Sequence, residues 1–195
     1  MDSVLKQLLE WTEEISEYEM PSWASLPDID LYMDQVISYM EKQTDIFIQD
    51  NKDKLISPAM INNYVKSGMI PRPVKKRYSR EHIGYLLAVC ILKQVLPIPH
   101  IAKLMSSQTD QMDMPEVFEE FRTAQHSAMC EVSKVVKESV DRMDQSSPGD
   151  FENDLNMLAL KLTATANANK IAAEHIIYLM GQSKDLKSSK SDVRE

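Results

Sequence analysis

Along most of the chain, apolar positions recur every three or four residues, the period of an α-helix with one buried face. Val4, Leu5, Leu8, Trp11, Ile15 and Tyr18 form one stripe of residues 2–20, and Glu10, Glu13, Glu14, Glu17 and Glu19 cover the rest. The pattern predicts a first helix whose apolar stripe lies on the protein's own core. Pro21 and Pro27 break the period, so residues 20–30 read as a linker, with Trp23 as its candidate anchor. A second helix is predicted from about Leu31 to Ile48, with Met33, Val36, Ile37, Met40 and Phe47 at helical spacing. The polar segment 49–54 follows as a loop.

Local signals are densest between Leu55 and Met105. Ser57 followed by Pro58 is a helix start, a capping hydroxyl and then a proline at the first helical position. Gly68 is the matching stop, because the residue past a helix end often takes positive φ. Between them Ile61 and Val65 share one face with Met60 and Tyr64 beside them, while Ala59, Asn62, Asn63 and Lys66 point the other way. Pro71 and Pro73, with Lys75, Lys76 and Arg77, predict a short turn. Ser79 caps a helix from Arg80 to about Val95 that is apolar nearly all round, as a core element is.

After the short helix Ile98 to Met105, residues 106–115 read as a polar loop. A long helix from about Glu116 to Met143 carries Val117, Phe121, Ala124, Ala128, Val132, Val135 and Met143 as its stripe. Pro148 and Gly149 punctuate residues 145–150. A last helix runs from about Phe151 to Met180, with Leu155, Leu158, Leu162, Ile171, Ile176 and Leu179 apolar and Gly181 as its end. Residues 182–195 are polar and read as a disordered tail. Two long antiparallel helices cannot bury both stripes alone; they need the N-terminal helix or a second subunit.

Composition changes this picture little. Four glycines argue against a β-rich chain and cannot supply a glycine-rich phosphate loop. Thirteen methionines read as adaptable core filling. Cys90 and Cys130 fit neither a zinc motif nor a disulfide framework, and His82, His100, His126 and His175 are scattered. Asp110, Asp113 and Glu116 read as a solvated loop cluster. A non-enzymatic chain without metal or cofactor is the expectation. The acidic N-terminus does not read as a signal peptide, and no apolar run reaches the ~18 residues of a membrane span. A cytoplasmic protein is expected.

Charge changes the picture more. Residues 54–103 hold nine Lys or Arg and one acid, Glu81. Residues 1–53 hold three basic and thirteen acidic residues, and the whole chain carries −8. A cationic block within an acidic chain either pairs with the protein's own acidic ends or meets a polyanion such as nucleic acid.

The order of parts resembles the winged helix-turn-helix of the MerR family. Ile61-Asn62-Asn63-Tyr64 is similar to its recognition helix, and Gly68-Met69-Ile70-Pro71 to the turn after it. Lys76-Arg77-Tyr78-Ser79 resembles the wing returning into the next helix, and Ile98 to Met105 the short helix beyond. The likeness covers about residues 55–105. With the preceding helix, the stretch also resembles an uncharacterised bacterial family of predicted MerR-like proteins. The MerR pattern usually has Arg where Asn62 stands and an aromatic where Asn63 stands, and this wing is short and lacks glycine.

The resemblance implies an all-α chain: a winged helix-turn-helix core, an N-terminal helix and a C-terminal long helical hairpin. The expected divisions are 1–27 for the N-terminal helix and linker, 28–107 for the DNA-binding domain, 108–181 for the hairpin and 182–195 for the tail. It implies a transcriptional regulator that binds double-stranded DNA as a homodimer, through the hairpin or the N-terminal helix, with an unknown effector. Asn62, Asn63 and Lys66 would read bases in the major groove, and Arg72, Lys75, Lys76, Arg77 and Tyr78 would complete the contact surface, Lys75, Lys76 and Arg77 on phosphates or in the minor groove. The alternative is a protein-interaction module that keeps the fold without specific DNA binding.

Overall fold

A computed structural model of the protein describes residues 2–48, 54–109, 111–143 and 151–191, with side chains placed for residues 3–48, 54–109, 111–143 and 151–182. The described residues are mainly helical: α1 (Asp2–Glu17), α2 (Met33–Gln43), α3 (Pro58–Lys66), α4 (Arg80–Leu92), α5 (Ile98–Thr109), α6 (Met114–Met143) and α7 (Phe151–Ser191). Short 3-10 turns stand at Trp23–Ser25 and Asp45–Phe47. No named strand forms among the described residues. Two isolated antiparallel bridges, Leu31 with Tyr78 and Val74 with Arg77, stand where a β wing is expected.

Helix α4 is the axis of the larger core. Ile83, Leu86, Leu87, Val89 and Cys90 are almost wholly buried, and α2 and α6 pack on it. Burying one such side chain contributes about 1.5–3 kcal/mol. Val36 and Met40 of α2, Ile61 and Tyr64 of α3, Ile101 and Met105 of α5, and Met114, Val117 and Phe118 of α6 complete the cluster. Met20 and Leu26 belong to it as well. The core therefore extends beyond residues 28–107 on both sides.

Trp23 anchors the linker, as expected. Its backbone N–H donates to Glu119 Oε1 at 2.6 Å, and its indole meets the Phe118 ring edge-on. Gly84 of α4 makes room for it: a Cβ there would sit 2.7 Å from Trp23 Cζ3. The same Glu119 carboxylate accepts from Arg122 Nε at 2.7 Å. The Trp23 amide first, and then Arg122, hold the Glu119 carboxyl below the ordinary carboxylate range.

A second, smaller core joins Leu5 of α1, Val136, Val140 and Met143 of α6, and Leu158 of α7. Helix α1 thus lies on α6. Of its expected stripe, Leu5, Leu8 and Tyr18 pack on the two cores and Ile15 is buried; only Val4 and Trp11 depart. Leu5, Thr12 and Ile15 are buried, whereas Val4 and Trp11 are exposed. On α6, Val117 and Met143 of the expected stripe are buried, but along the seam with α1 the buried positions are Ser133, Val136 and Val140, while Val132 and Val135 face outward and Ala124 and Ala128 are exposed. The reason is a polar seam. Ser133 Oγ donates to the Thr12 carbonyl at 2.8 Å, and Thr12 Oγ1 to the Leu9 carbonyl at 2.7 Å. Small, internally satisfied side chains let the two helices approach closely.

Several boundaries are corrected: α2 spans Met33–Gln43 rather than 31–48, with a 3-10 turn after it, and α4 ends at Leu92 rather than Val95. Helix α5 runs to Thr109 and α6 starts at Met114, so little of the loop expected at 106–115 remains. Helix α7 does not stop at Gly181 but continues to Ser191, which replaces the expected disordered tail up to that residue. Gly181 is buried, and Lys103 of α5 lies where its Cβ would stand, so the glycine serves helix contact rather than termination. The expected loop at 49–53, Asp110, the break at 145–150 and residues 192–195 lie outside the described residues. Helix α7 touches the smaller core through Leu158 and the larger one through Ile177. Between them, Thr163 to Asn169 are all exposed.

Candidate nucleic-acid interface

Helix α3 is built by local rules. Ser57 Oγ accepts the Met60 N–H at 3.3 Å, with Pro58 in the first turn. Gly68 takes φ +76°, and a Cβ there would meet nothing within 4 Å, so it is the backbone conformation that favours glycine. The Gly68 and Met69 N–H groups donate back to the Val65 and Tyr64 carbonyls at 3.2 and 3.0 Å, a Schellman closure that only glycine enters without strain. Ile61 and Tyr64 are buried, which turns Ala59, Asn62, Asn63 and Lys66 to solvent. Behind the helix start, Nζ of Lys93, the residue after α4, donates to the Leu55 carbonyl. The expected recognition surface is therefore exposed on a helix fixed at both ends.

The expected wing is a two-residue turn. Arg77 N–H donates to the Val74 carbonyl at 2.9 Å, and between them Lys75 and Lys76 take φ +51° and +62°. Positive φ at both central residues is the signature of a type I′ hairpin turn, which normally selects Asn-Gly. Side-chain-bearing residues there cost roughly 1–2 kcal/mol each relative to glycine. Two lysines in such a turn place charge at its tip at the expense of stability, a departure found mostly at functional sites. The return strand is tied down by a paired bridge, Leu31 N–H to the Tyr78 carbonyl at 2.9 Å and Tyr78 N–H to the Leu31 carbonyl at 2.8 Å.

Of the expected contact residues, Asn62, Asn63, Lys66, Arg72, Lys75, Lys76 and Arg77 are exposed. Tyr78 is not. It is 3% exposed and packs edge-on against His82 at 5.5 Å, so it is a core residue and cannot reach a duplex. Burial raises its phenol pKa. His82 in turn closes the start of α4, its Nδ1 accepting the Ser79 N–H at 3.0 Å. Of the nine basic residues between 54 and 103, only Lys54 has a carboxylate partner among the described residues, Glu41 at 3.2 Å. The glutamates of α1 ride on a helix packed against α6.

Two groups escape the sequence reading. Tyr32, at the start of α2, receives Arg77 Nη2 on its hydroxyl at 3.0 Å. No sequence spacing links these residues; the paired bridge brings them together. The second group was within reach of the sequence: His126 and Cys130 stand one helical turn apart. Cys130 Sγ lies 3.6 Å from His126 Nε2, and His126 Nδ1 lies 3.1 Å from the Tyr18 carbonyl. Cys90 is sealed in the core, and burial pushes its thiol up to about 12.

A cleft of about 220 Å³ opens between α4, α5 and α6, lined by Leu92, Met105, Phe118, Phe121 and Glu120. No group of three or more His, Cys, Asp and Glu that could hold a metal ion occurs among the described residues. No described helix is long and apolar enough to cross a membrane. No curated protein and no solved structure matches the chain. Residues 21–125, from the linker into the first half of α6, match the family described as Domain of unknown function (DUF1836). That span starts just before the Trp23 anchor, ends just past Phe118 and Phe121, and covers more than half of the chain, which therefore belongs to this family.

Proposed function

We propose that the protein is a cytoplasmic, DNA-binding transcriptional regulator of MerR-like type. The carrying observation is the exposed amide and basic surface of α3 and the Val74–Arg77 turn, on a chain of net charge −8. Asn62, Asn63 and Lys66 meet base edges in the major groove, where an amide pairs with adenine and a lysine with guanine. Arg72, Lys75, Lys76 and Arg77 meet phosphates. A homodimer supplies the second half-site, because one short helix gives few specific contacts. Support for self-association comes from apolar side chains left in solvent on α6 and α7: Val132, Val135, Leu160, Ile171 and Ile176.

The test is a fluorescence titration with mixed genomic duplex at a series of salt concentrations. Binding that weakens steeply with salt supports the reading; no binding at low salt removes it. Sedimentation of the full chain, with Leu160→Glu and Ile171→Glu as controls, tests the dimer. The same exposed apolar side chains, together with Asn62 where MerR proteins usually carry Arg, favour a second reading as a protein-interaction module. That reading gains if the chain self-associates but does not bind duplex.

A further inference from the structure

Arg77 and Tyr32 stand 45 positions apart in sequence and meet at the base of the turn. Arg77 Nη2 donates to the Tyr32 hydroxyl at 3.0 Å, and the guanidinium carbon lies 5.0 Å from the centroid of the same ring. An arginine on an open surface samples many rotamers and loses that freedom when it binds an anion. Here one ring supplies both a hydrogen-bond acceptor and a π face, so the guanidinium is oriented before any ligand arrives.

Tyr32 is itself well placed for this. Its backbone N–H donates to Gln35 Oε1 at 2.9 Å, and its carbonyl accepts the Val36 N–H at 2.9 Å, which seats it at the start of α2. The residue before it, Leu31, is paired in both directions with Tyr78, the residue after Arg77. Tyr32 and Arg77 thus flank one bridge from its two opposed segments. Both are exposed, so the contact adds little to the core. A guanidinium has five N–H donors, and the tyrosine takes one, which leaves a fork facing solvent.

We infer that Tyr32 is a positioning residue, holding the Arg77 guanidinium as a preformed receptor for a phosphate of the DNA backbone. This rests on the DNA reading above and goes beyond it by assigning a role to a residue outside the basic block.

The experiment uses the full chain and a mixed-sequence duplex, with affinity followed by fluorescence anisotropy across a salt series. Tyr32→Ala should weaken binding about two- to tenfold, the loss expected when one side chain must be ordered on binding. Its salt slope should match the wild type, because the phosphate contact is still made. Arg77→Ala should lower the slope by about 0.9. Tyr32→Phe, which keeps the ring, should recover part of the affinity, and Tyr32→Ala with Arg77→Ala should bind like Arg77→Ala alone. A Tyr32→Ala protein that binds as the wild type does, or losses that simply add in the double variant, overturn the inference. A wild type that binds no duplex removes the DNA reading instead. The positioning of Arg77 by Tyr32 is then read from Arg77 side-chain NMR: slowed rotation about Nε–Cζ that Tyr32→Ala releases upholds that positioning, and equal rotation in both proteins overturns it.

Discussion

Replacing Lys75-Lys76 with Asn-Gly separates stability from function at the turn. Both residues sit at positive φ, +51° and +62°. Left-handed backbone costs a side-chain-bearing residue roughly 1–2 kcal/mol, little for Asn and nothing for Gly. Lys76→Gly gives back about 0.5–1 kcal/mol through the greater freedom of glycine in the unfolded chain. The double change should therefore stabilise the fold by about 1–3 kcal/mol, or ~2–12 °C in Tm for a chain of this length. It also removes two exposed cations. If both meet phosphates, the slope of log affinity against log salt falls by about 1.8. A protein that melts higher yet binds DNA more weakly is the expected outcome, read by thermal unfolding and a duplex titration. A fall in Tm of more than a few degrees would refute the type I′ assignment. A raised Tm with an unchanged salt slope would mean that the lysines are only solvated.

Asn63→Ala should lower affinity for a selected site about tenfold to a hundredfold and leave random DNA nearly untouched, since a bidentate amide–adenine contact discriminates by ~1–3 kcal/mol. Equal loss on both sequences, in the same titration, would rule it out as a base reader; Ile61→Ala, a core cavity costing about 2–5 kcal/mol, is the stability control. The Glu119 carboxyl is lowered in the fold, so its contribution is complete above about pH 4.3 and is lost as pH falls through the lowered value. Acid titration of Trp fluorescence should show this loosening of the linker, and Glu119→Gln should abolish it. Native iodoacetamide labelling should reach Cys130 while Cys90 reacts at least about a hundredfold more slowly, as a sealed thiol raised to about 12 demands; peptide mapping that finds Cys90 labelled first would contradict the packing of α4.

What the sequence made legible was local. Ser57, Pro58 and Gly68 act within one or two turns of themselves, and the structure uses each as read. The apolar girth of α4 marked the core equally well. The ends of the α6 stripe and most of the α1 stripe are as the pattern predicts, but the middle of α6 is turned because the seam runs through Thr12 and Ser133, polar residues that a hydrophobic pattern assigns to solvent. Tyr78 looked like part of the contact surface because it follows Lys-Lys-Arg, yet its bridge to Leu31 draws it inward. Lys75-Lys76 carries none of the glycine that marks a type I′ turn. Gly84 and Gly181 are explained only by neighbours distant in sequence, Trp23 and Lys103.

Helix α7 has a mechanical meaning. From Leu158 in the smaller core to Ile177 in the larger one it covers about 28 Å at the α-helical rise, and Thr163 to Asn169 cross that span in open solvent. A continuous helix resists bending and stretching far more than a loop does. It therefore works as a tie-rod with a bearing at each end. Any tilt of α5 and the surface behind α3 against the α1–α6 pair must either slide one bearing or flex the rod. Helix α6 enters both cores as well, so two continuous helices hold their spacing.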